Sequence, residues 1–158
     1  MYCKDLSAYR YAEHLKRRGL RNVGWLSGRK PYAQGRVSDA AKDALWAHLL
    51  LPVARMRGFH ECDLCAPSPK GPLSASHNGA TLTLGWAEIR VFANSGRVYA
   101  APTLVWHYVE AHSYAPPDEF VAALLDGVAP GSPAFIERVC EYDSGFVHPA
   151  ALTKRPGR

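Results

Sequence analysis

The chain has 158 residues, 47% hydrophobic and 21% charged, which is ordinary for one soluble globular domain. No run approaches the roughly 18 apolar residues of a membrane span and no signal-peptide-like stretch follows Met1, so we expect a cytoplasmic protein without a membrane partner. The net charge of +5 is unevenly distributed along the chain. Residues 1–36 carry nine Lys and Arg against two acidic residues, whereas residues 37–150 carry seven against twelve. The basic character therefore belongs to the two ends of the chain.

The first third of the chain predicts two helices separated by a turn-rich loop. Asp5-Leu6-Ser7 can cap a first helix with apolar residues at helical spacing and a stop at Gly19. Residues 22–37 contain several Gly and a Pro and predict a loop. Ser38 is a good N-cap for a main core helix that ends at Pro52.

Four cations lie near the end of the first predicted helix, and they are the candidate nucleic-acid contacts: Lys16, Arg17, Arg18 and Arg21. Cations in the last turn of a helix also complement the helix dipole, so this cluster has a structural explanation as well. Both interpretations remain open at this point.

The middle of the chain predicts a metal knuckle followed by a β-hairpin. Residues 57–65 form a short segment with two cysteines, and residues 66–80 are rich in Pro, Ser and Gly and predict an exposed loop. Apolar and β-branched runs follow, and Asn94-Ser95-Gly96 predicts a hairpin turn between strands at 88–92 and 97–100.

Three helices are predicted after the hairpin. Pro102 suits the first turn of a helix from Thr103 to about Ser113, a second begins at Asp118-Glu119 and is closed by Gly127, and a last one begins at Ser132-Pro133.

These elements predict an α+β fold: a small zinc-stabilised domain in which a CxxC knuckle, a β-hairpin and a helix are flanked by further helices. We place this domain at 1–126, a C-terminal helical extension at 127–150 and a disordered basic tail at 151–158.

Two cysteines and two histidines form the most informative pattern in the sequence. Cys62 and Cys65 make a Cys-x-x-Cys turn, and His107 and His112 follow on one predicted helix. Two thiolates and two imidazoles suit a tetrahedral, structural Zn²⁺ ion. The hairpin between the pairs can return the helix over the knuckle, although 41 residues lie between Cys65 and His107.

The spacing of the two histidines is the weak point of this site. Residues five apart on an ideal helix point about 140° away from each other. We therefore expect the helix to unwind or tighten near His112, just before Ser113 and Pro116.

Two further residues could support the metal. His60 precedes Cys62 by two positions and could replace one histidine ligand or pack beside the site. Glu88 shares a strand face with Arg90, which predicts an exposed ion pair; a buried Glu88 could instead orient a histidine ligand.

The chain resembles an uncharacterised family of small bacterial proteins. The resemblance rests on an Arg-Gly-Phe-His-x-Cys-x-x-Cys knuckle beginning at Arg57 and on the pattern YAAPxLxxHYVxxHxYxPPxxF beginning at Tyr99. It covers most of residues 1–125. The resemblance implies a fold unit and brings no activity with it.

Four protein ligands leave no coordination position for substrate or water, so the sequence favours a non-catalytic, zinc finger-like binding or regulatory module with an unidentified protein partner. The alternatives are a nucleic-acid-binding zinc domain and a zinc-dependent hydrolase. The hydrolase is disfavoured because metalloprotease motifs separate their two histidines by four positions, not five.

Overall fold

The computed structural model describes residues 1–16 and 18–143, and it has the predicted α+β architecture. A short 3₁₀ turn spans Glu13–Leu15. The strands are β1 (Arg21–Asn22), β2 (Ser74–His77), β3 (Ala80–Thr83), β4 (Glu88–Phe92) and β5 (Val98–Pro102), and the helices are α1 (Asp39–Leu49), α2 (Val105–His112), α3 (Asp118–Asp126) and α4 (Pro133–Asp143).

The centre of the fold is a three-stranded sheet in the order β1-β5-β4. Strand β5 is parallel to β1, with Arg21 opposite Tyr99, and antiparallel to β4, with Arg90 opposite Ala100. Every residue of β4 and β5 is buried, so both faces of this predicted hairpin are covered.

The N-terminal segment differs from the prediction, and the expected helix from Ser7 to Gly19 is wrong apart from the short 3₁₀ turn. Cys3 forms a bridge with Trp25, and Ala8 forms one with Arg21, so the segment pairs with residues 21–25 on both sides of a turn at residues 5–6. Helical periodicity is a weak preference, and pairing with a distant segment has overridden it here.

Helix α1 forms as predicted. The side chain of Ser38 accepts a hydrogen bond from the backbone N–H of Ala41 at 3.2 Å, which caps the helix start. Its buried face carries Leu45, Trp46 and Leu49 into the main core.

A second hairpin lies where only a loop was expected. Strands β2 and β3 pair antiparallel through the two residues Asn78 and Gly79, which have φ values of 48° and 77°. Positive φ at both central positions is the geometry of the tightest hairpin turns, for which Asn-Gly is the preferred sequence. The prediction of an exposed loop over 66–80 is therefore wrong from Ser74 onward.

The three later helices exist, with one shifted start. Helix α2 begins at Val105 because Pro102 is still the last residue of β5. Helix α4 packs Phe135 and Val139 into a second hydrophobic cluster, which also contains Phe92 of the sheet.

The predicted disordered tail at 151–158 and the end of the predicted extension, 144–150, lie outside the described residues. Among the helices of the described part, none combines the length and apolar character needed to cross a membrane.

Candidate metal centre

The two cysteines and two histidines predicted as ligands converge on one point. The Sγ atom of Cys65 lies 3.2 Å from Nε2 of His107 and 3.4 Å from Nε2 of His112. The Sγ atom of Cys62 lies 3.4 Å from Nε2 of His112, and the two Nε2 atoms are 3.2 Å apart. All four donor atoms lie within 4.8 Å of one another, so one metal ion can contact all of them.

The cysteine half of the site has the hydrogen bonds of a metal knuckle. The backbone N–H groups of Leu64 and Cys65 donate to the sulfur of Cys62. Such bonds favour a thiolate and hold the turn closed around it.

Asp63 ties the knuckle to the loop that precedes α1. Its carboxylate accepts from the hydroxyl of Ser27 at 3.1 Å and from the backbone N–H of Gly28 at 3.0 Å. A Cβ atom at Gly28 would stand 2.5 Å from the carbonyl oxygen of Asp63. This close approach therefore requires glycine.

The other side of the knuckle rests on the segment that leads into β4. The N–H of His60 donates to the carbonyl of Gly85 at 2.7 Å. Gly85 has a φ of 85°, and a Cβ atom there would stand 2.5 Å from the carbonyl oxygen of His60. Two glycines thus fix the knuckle from opposite sides.

The end of α2 explains how histidines five residues apart face one ion. The N–H of Ser113 donates to the carbonyl of Tyr108, five residues earlier, and the N–H of Tyr114 donates to the same carbonyl at 3.0 Å. This wide last turn replaces the usual four-residue step and brings His112 back over His107. Ser113 closes the turn in the left-handed conformation, with a φ of 52°. The expected unwinding near His112 is therefore present.

A neighbouring loop holds this helix end in place. The hydroxyl of Tyr32 donates to the carbonyl of His112 at 3.2 Å, and the N–H of Gly35 donates to the carbonyl of Ser113 at 2.9 Å. The N–H of Ala115 in turn donates to the carbonyl of Ala33 at 2.9 Å. The unusual turn is thus braced by backbone contacts from outside the helix.

The electrostatics of the centre favour neutral donors until a cation arrives. Burial raises the pKa of the Cys62 thiol to about 11. Burial, followed by the neighbouring His112, lowers the pKa of His107. A metal ion that binds here must therefore displace the thiol proton, while the imidazole of His107 is already available.

His60 and Glu88, the two reserve residues, lie elsewhere. His60 is not among the four clustered donors, and its ring packs edge-on against Trp25 with 6.4 Å between the ring centroids. The carboxylate of Glu88 accepts from the hydroxyl of Tyr9 at 3.0 Å and from Nη1 of Arg90 at 2.6 Å. Glu88 is therefore engaged with these two residues.

The expected exposed ion pair is wrong, because the side chains of Glu88 and Arg90 are both 0% exposed. The guanidinium of Arg90 also donates two bonds of 3.0 Å to the carboxylate of Asp143, at the end of α4. Burial raises the pKa of Glu88, and the charge of Arg90 opposes that shift. The group forms a buried network that joins the sheet to α4.

Two of the candidate nucleic-acid contacts form ion pairs in the described part. Lys16 pairs with Glu13, and Arg18 pairs with Glu141 and lies over the ring of Tyr142. Arg21 is in β1, and Arg17 lies outside the described residues.

Two supporting residues were not identified from the sequence: Gly28 and Asp63. Each acts through contacts between distant segments, and no local motif identifies such contacts. Only the glycine-rich character of residues 22–37 hinted that a close backbone approach occurs there.

The comparison with known families assigns residues 1–125 to the family described as "Domain of unknown function (DUF7919)", and the chain belongs to that family. No curated protein and no solved structure matches the chain.

Proposed function

We propose that this chain is a non-catalytic, zinc-stabilised binding or regulatory module that acts through protein–protein interaction. The observation that carries the proposal is the closed cluster of Cys62, Cys65, His107 and His112. Two soft and two borderline donors are the set that structural zinc sites use.

The distances support zinc. Zn–S bonds of about 2.3 Å and Zn–N bonds of about 2.0 Å place tetrahedral S and N donors about 3.5 Å apart and two N donors about 3.3 Å apart. Three of the four S···N pairs are 3.2–3.4 Å apart, the two N donors are 3.2 Å apart, and all four donors lie within 4.8 Å. The donors therefore fit one small tetrahedral ion.

The energy scale supports a structural role for the ion. Structural zinc binding contributes about 10–16 kcal/mol in small domains, which is comparable to the roughly 5–15 kcal/mol that stabilises a typical folded protein. A site that fills all four positions with protein also leaves no position for a reacting water. Function is then expected on the surfaces that the site holds in place.

Exposed apolar side chains beside the knuckle support a binding role. Phe59 is 51% exposed and Tyr11 is 50% exposed, whereas Trp25 beneath Tyr11 is buried. Large exposed aromatic groups are enriched at protein interfaces.

A metal analysis tests the zinc site. The purified protein should hold one zinc per chain, and X-ray absorption at the zinc edge should show two sulfur and two nitrogen ligands. Cys65→Ser should lose the zinc and the cooperative thermal transition, whereas the matched control Cys140→Ser should keep both. A folded Cys65→Ser variant with full zinc content would contradict the proposal.

Affinity capture tests the binding role. The zinc-loaded protein should retain a protein partner from its native cells after nuclease treatment, and the Cys65→Ser variant should not. Recovery of nucleic acid alone would contradict a protein-binding role and favour the nucleic-acid alternative. An oxygen ligand in the zinc spectrum would instead favour the hydrolase.

A further inference from the structure

Strand β3 has one edge that no other strand covers in the described part of the chain. The N–H of Leu84 donates to the carbonyl of Leu73 at 2.7 Å. Every second residue of β3, counted back from Leu84, therefore directs its backbone N–H and C=O groups toward β2. Thr81 and Thr83 alternate with them and direct their backbone groups away from β2. Strand β3 therefore presents hydrogen-bonding groups along an open side.

A groove of about 260 Å³ runs along this open side. One wall is β3 and its continuation to Leu84, and the other is the end of α1 with the segment that follows it. Its apolar lining comes from Leu49, Leu50, Pro52, Leu82, Leu84 and Trp86.

The far end of the groove offers a cation. The indole N–H of Trp86 donates to the carbonyl of Thr83 at 2.7 Å, which ends the open edge. The guanidinium of Arg55 lies over the ring of Trp86, 4.9 Å from its centroid. Arg55 is exposed and has no carboxylate within salt-bridge distance among residues 1–16 and 18–143.

We propose that this groove binds an extended segment of a partner protein as an added strand on β3. Thr81 and Thr83 supply backbone hydrogen bonds, the groove takes one apolar side chain, and Arg55 pairs with an acidic side chain of the segment. This inference rests on the proposed protein-binding function and specifies where the partner docks.

A second copy of this chain is a poorer occupant than an acidic segment. Residues 80–83 are Ala-Thr-Leu-Thr and carry no charge. Pairing β3 with its own copy would therefore bring no carboxylate from that strand to Arg55. The unpaired guanidinium favours a partner segment that carries Asp or Glu.

A displayed library of random octapeptides, selected on the zinc-loaded protein, tests the proposal. Enriched peptides should combine β-branched or aromatic residues with an Asp or Glu. A synthetic peptide of that sequence should bind about tenfold more weakly, or by about 1.4 kcal/mol, to Arg55→Glu, because the substitution replaces an attraction to the peptide's acid with a repulsion. Exchanging the acid of the peptide for Arg should restore binding to that variant.

Arg57→Glu is the matched control, since Arg57 is exposed, lies two residues away and does not line the groove. It should bind the peptide within about twofold of the unmodified protein, a difference below about 0.5 kcal/mol. The amides of Thr81 and Thr83 should gain protection from hydrogen exchange in the complex, and N-methylation of alternate peptide amides should abolish binding.

Three results would overturn the proposal. The first is that no peptide is enriched. The second is that an enriched peptide binds Arg55→Glu as well as the unmodified protein. The third is that a single-stranded 20-nucleotide DNA binds at Arg55 while no peptide does. The second result would reject this groove and leave the protein-binding function standing. The protein-binding function is contradicted by a different result: affinity capture after nuclease treatment yields no protein partner.

Discussion

Replacing Asp143 by Asn tests whether the buried network stabilises the fold. Asp143 makes two bonds of 3.0 Å to Arg90, and both side chains are 0% exposed. The substitution keeps the shape and removes one negative charge. It also turns an amide N–H₂ group toward a guanidinium that can only donate, so one buried bond is lost.

The expected loss of stability follows from the remaining partner. Breaking a buried ion pair by removing one side costs about 3–5 kcal/mol. Glu88 still lies 2.6 Å from Arg90, so the positive charge of Arg90 stays neutralised. We therefore expect a loss of stability at the lower end of that range. A loss of about 3 kcal/mol corresponds to a fall of about 6–12 °C in the midpoint of thermal unfolding for a chain of this length.

Urea unfolding followed by tryptophan fluorescence, with zinc present, measures the change. The matched control is Glu141→Gln on the same helix, because Glu141 pairs with Arg18 at the surface and is 59% exposed. An exposed pair contributes about 0–1 kcal/mol, so the control should be nearly neutral. A loss below about 1 kcal/mol for Asp143→Asn, no larger than that of the control, would refute the idea that the buried bonds between Asp143 and Arg90 stabilise the fold.

Three further substitutions probe the site and its surroundings. Ser113→Gly should keep the zinc and raise the free energy of unfolding by up to about 1 kcal/mol in a denaturant titration, because a left-handed residue at φ 52° carries a steric cost that glycine avoids; a loss of stability would contradict this. Gly28→Ala should lower stability by about 1–3 kcal/mol and speed zinc transfer to a chelator, because its Cβ would stand 2.5 Å from the Asp63 carbonyl oxygen. In the control Gly58→Ala the added Cβ has no atom within 4 Å, so neither the stability nor the rate of zinc transfer should change. Burial lowers the pKa of His48, so as pH falls the imidazole is protonated in the unfolded chain before it is protonated in the folded one, and stability is lost below about pH 6.5. The loss of stability measured between pH 7 and pH 5 should therefore be smaller in His48→Phe. An equal loss in both proteins would show that His48 does not contribute.

The convergence of the two cysteines and two histidines was predictable because its signals are local. A short stretch of sequence is enough to identify each of three features: the Cys-x-x-Cys turn, the hairpin turn at Asn94-Ser95-Gly96 and the helix with the two histidines. Their order along the chain then brings the ligand pairs together. The one geometric conflict, the five-residue step to His112, pointed to the place where the helix widens.

The N-terminal segment and the buried ion pair were not predictable in the same way. The conformation of residues 3–9 depends on pairing with residues 20–25, and no local sequence pattern identifies that partner segment. Alternation in a hairpin normally leaves one face to solvent, which predicts an exposed pair of Glu88 and Arg90. Here Tyr9 and α4 cover that second face, so burial was decided by elements distant in sequence.

The small size of the sheet gives a reason for a metal in this fold. Strand β1 has two residues, and the other strands of the sheet have five each. Bringing Cys65 to His107 closes a loop of 42 residues, which costs about 4 kcal/mol in chain entropy. Burial of Val105, Trp106 and Tyr108 of α2 in the main core offsets part of that cost, and zinc binding of about 10 kcal/mol or more would exceed it alone. A bound zinc ion is therefore expected to add to the hydrophobic contacts that hold α2 against the knuckle.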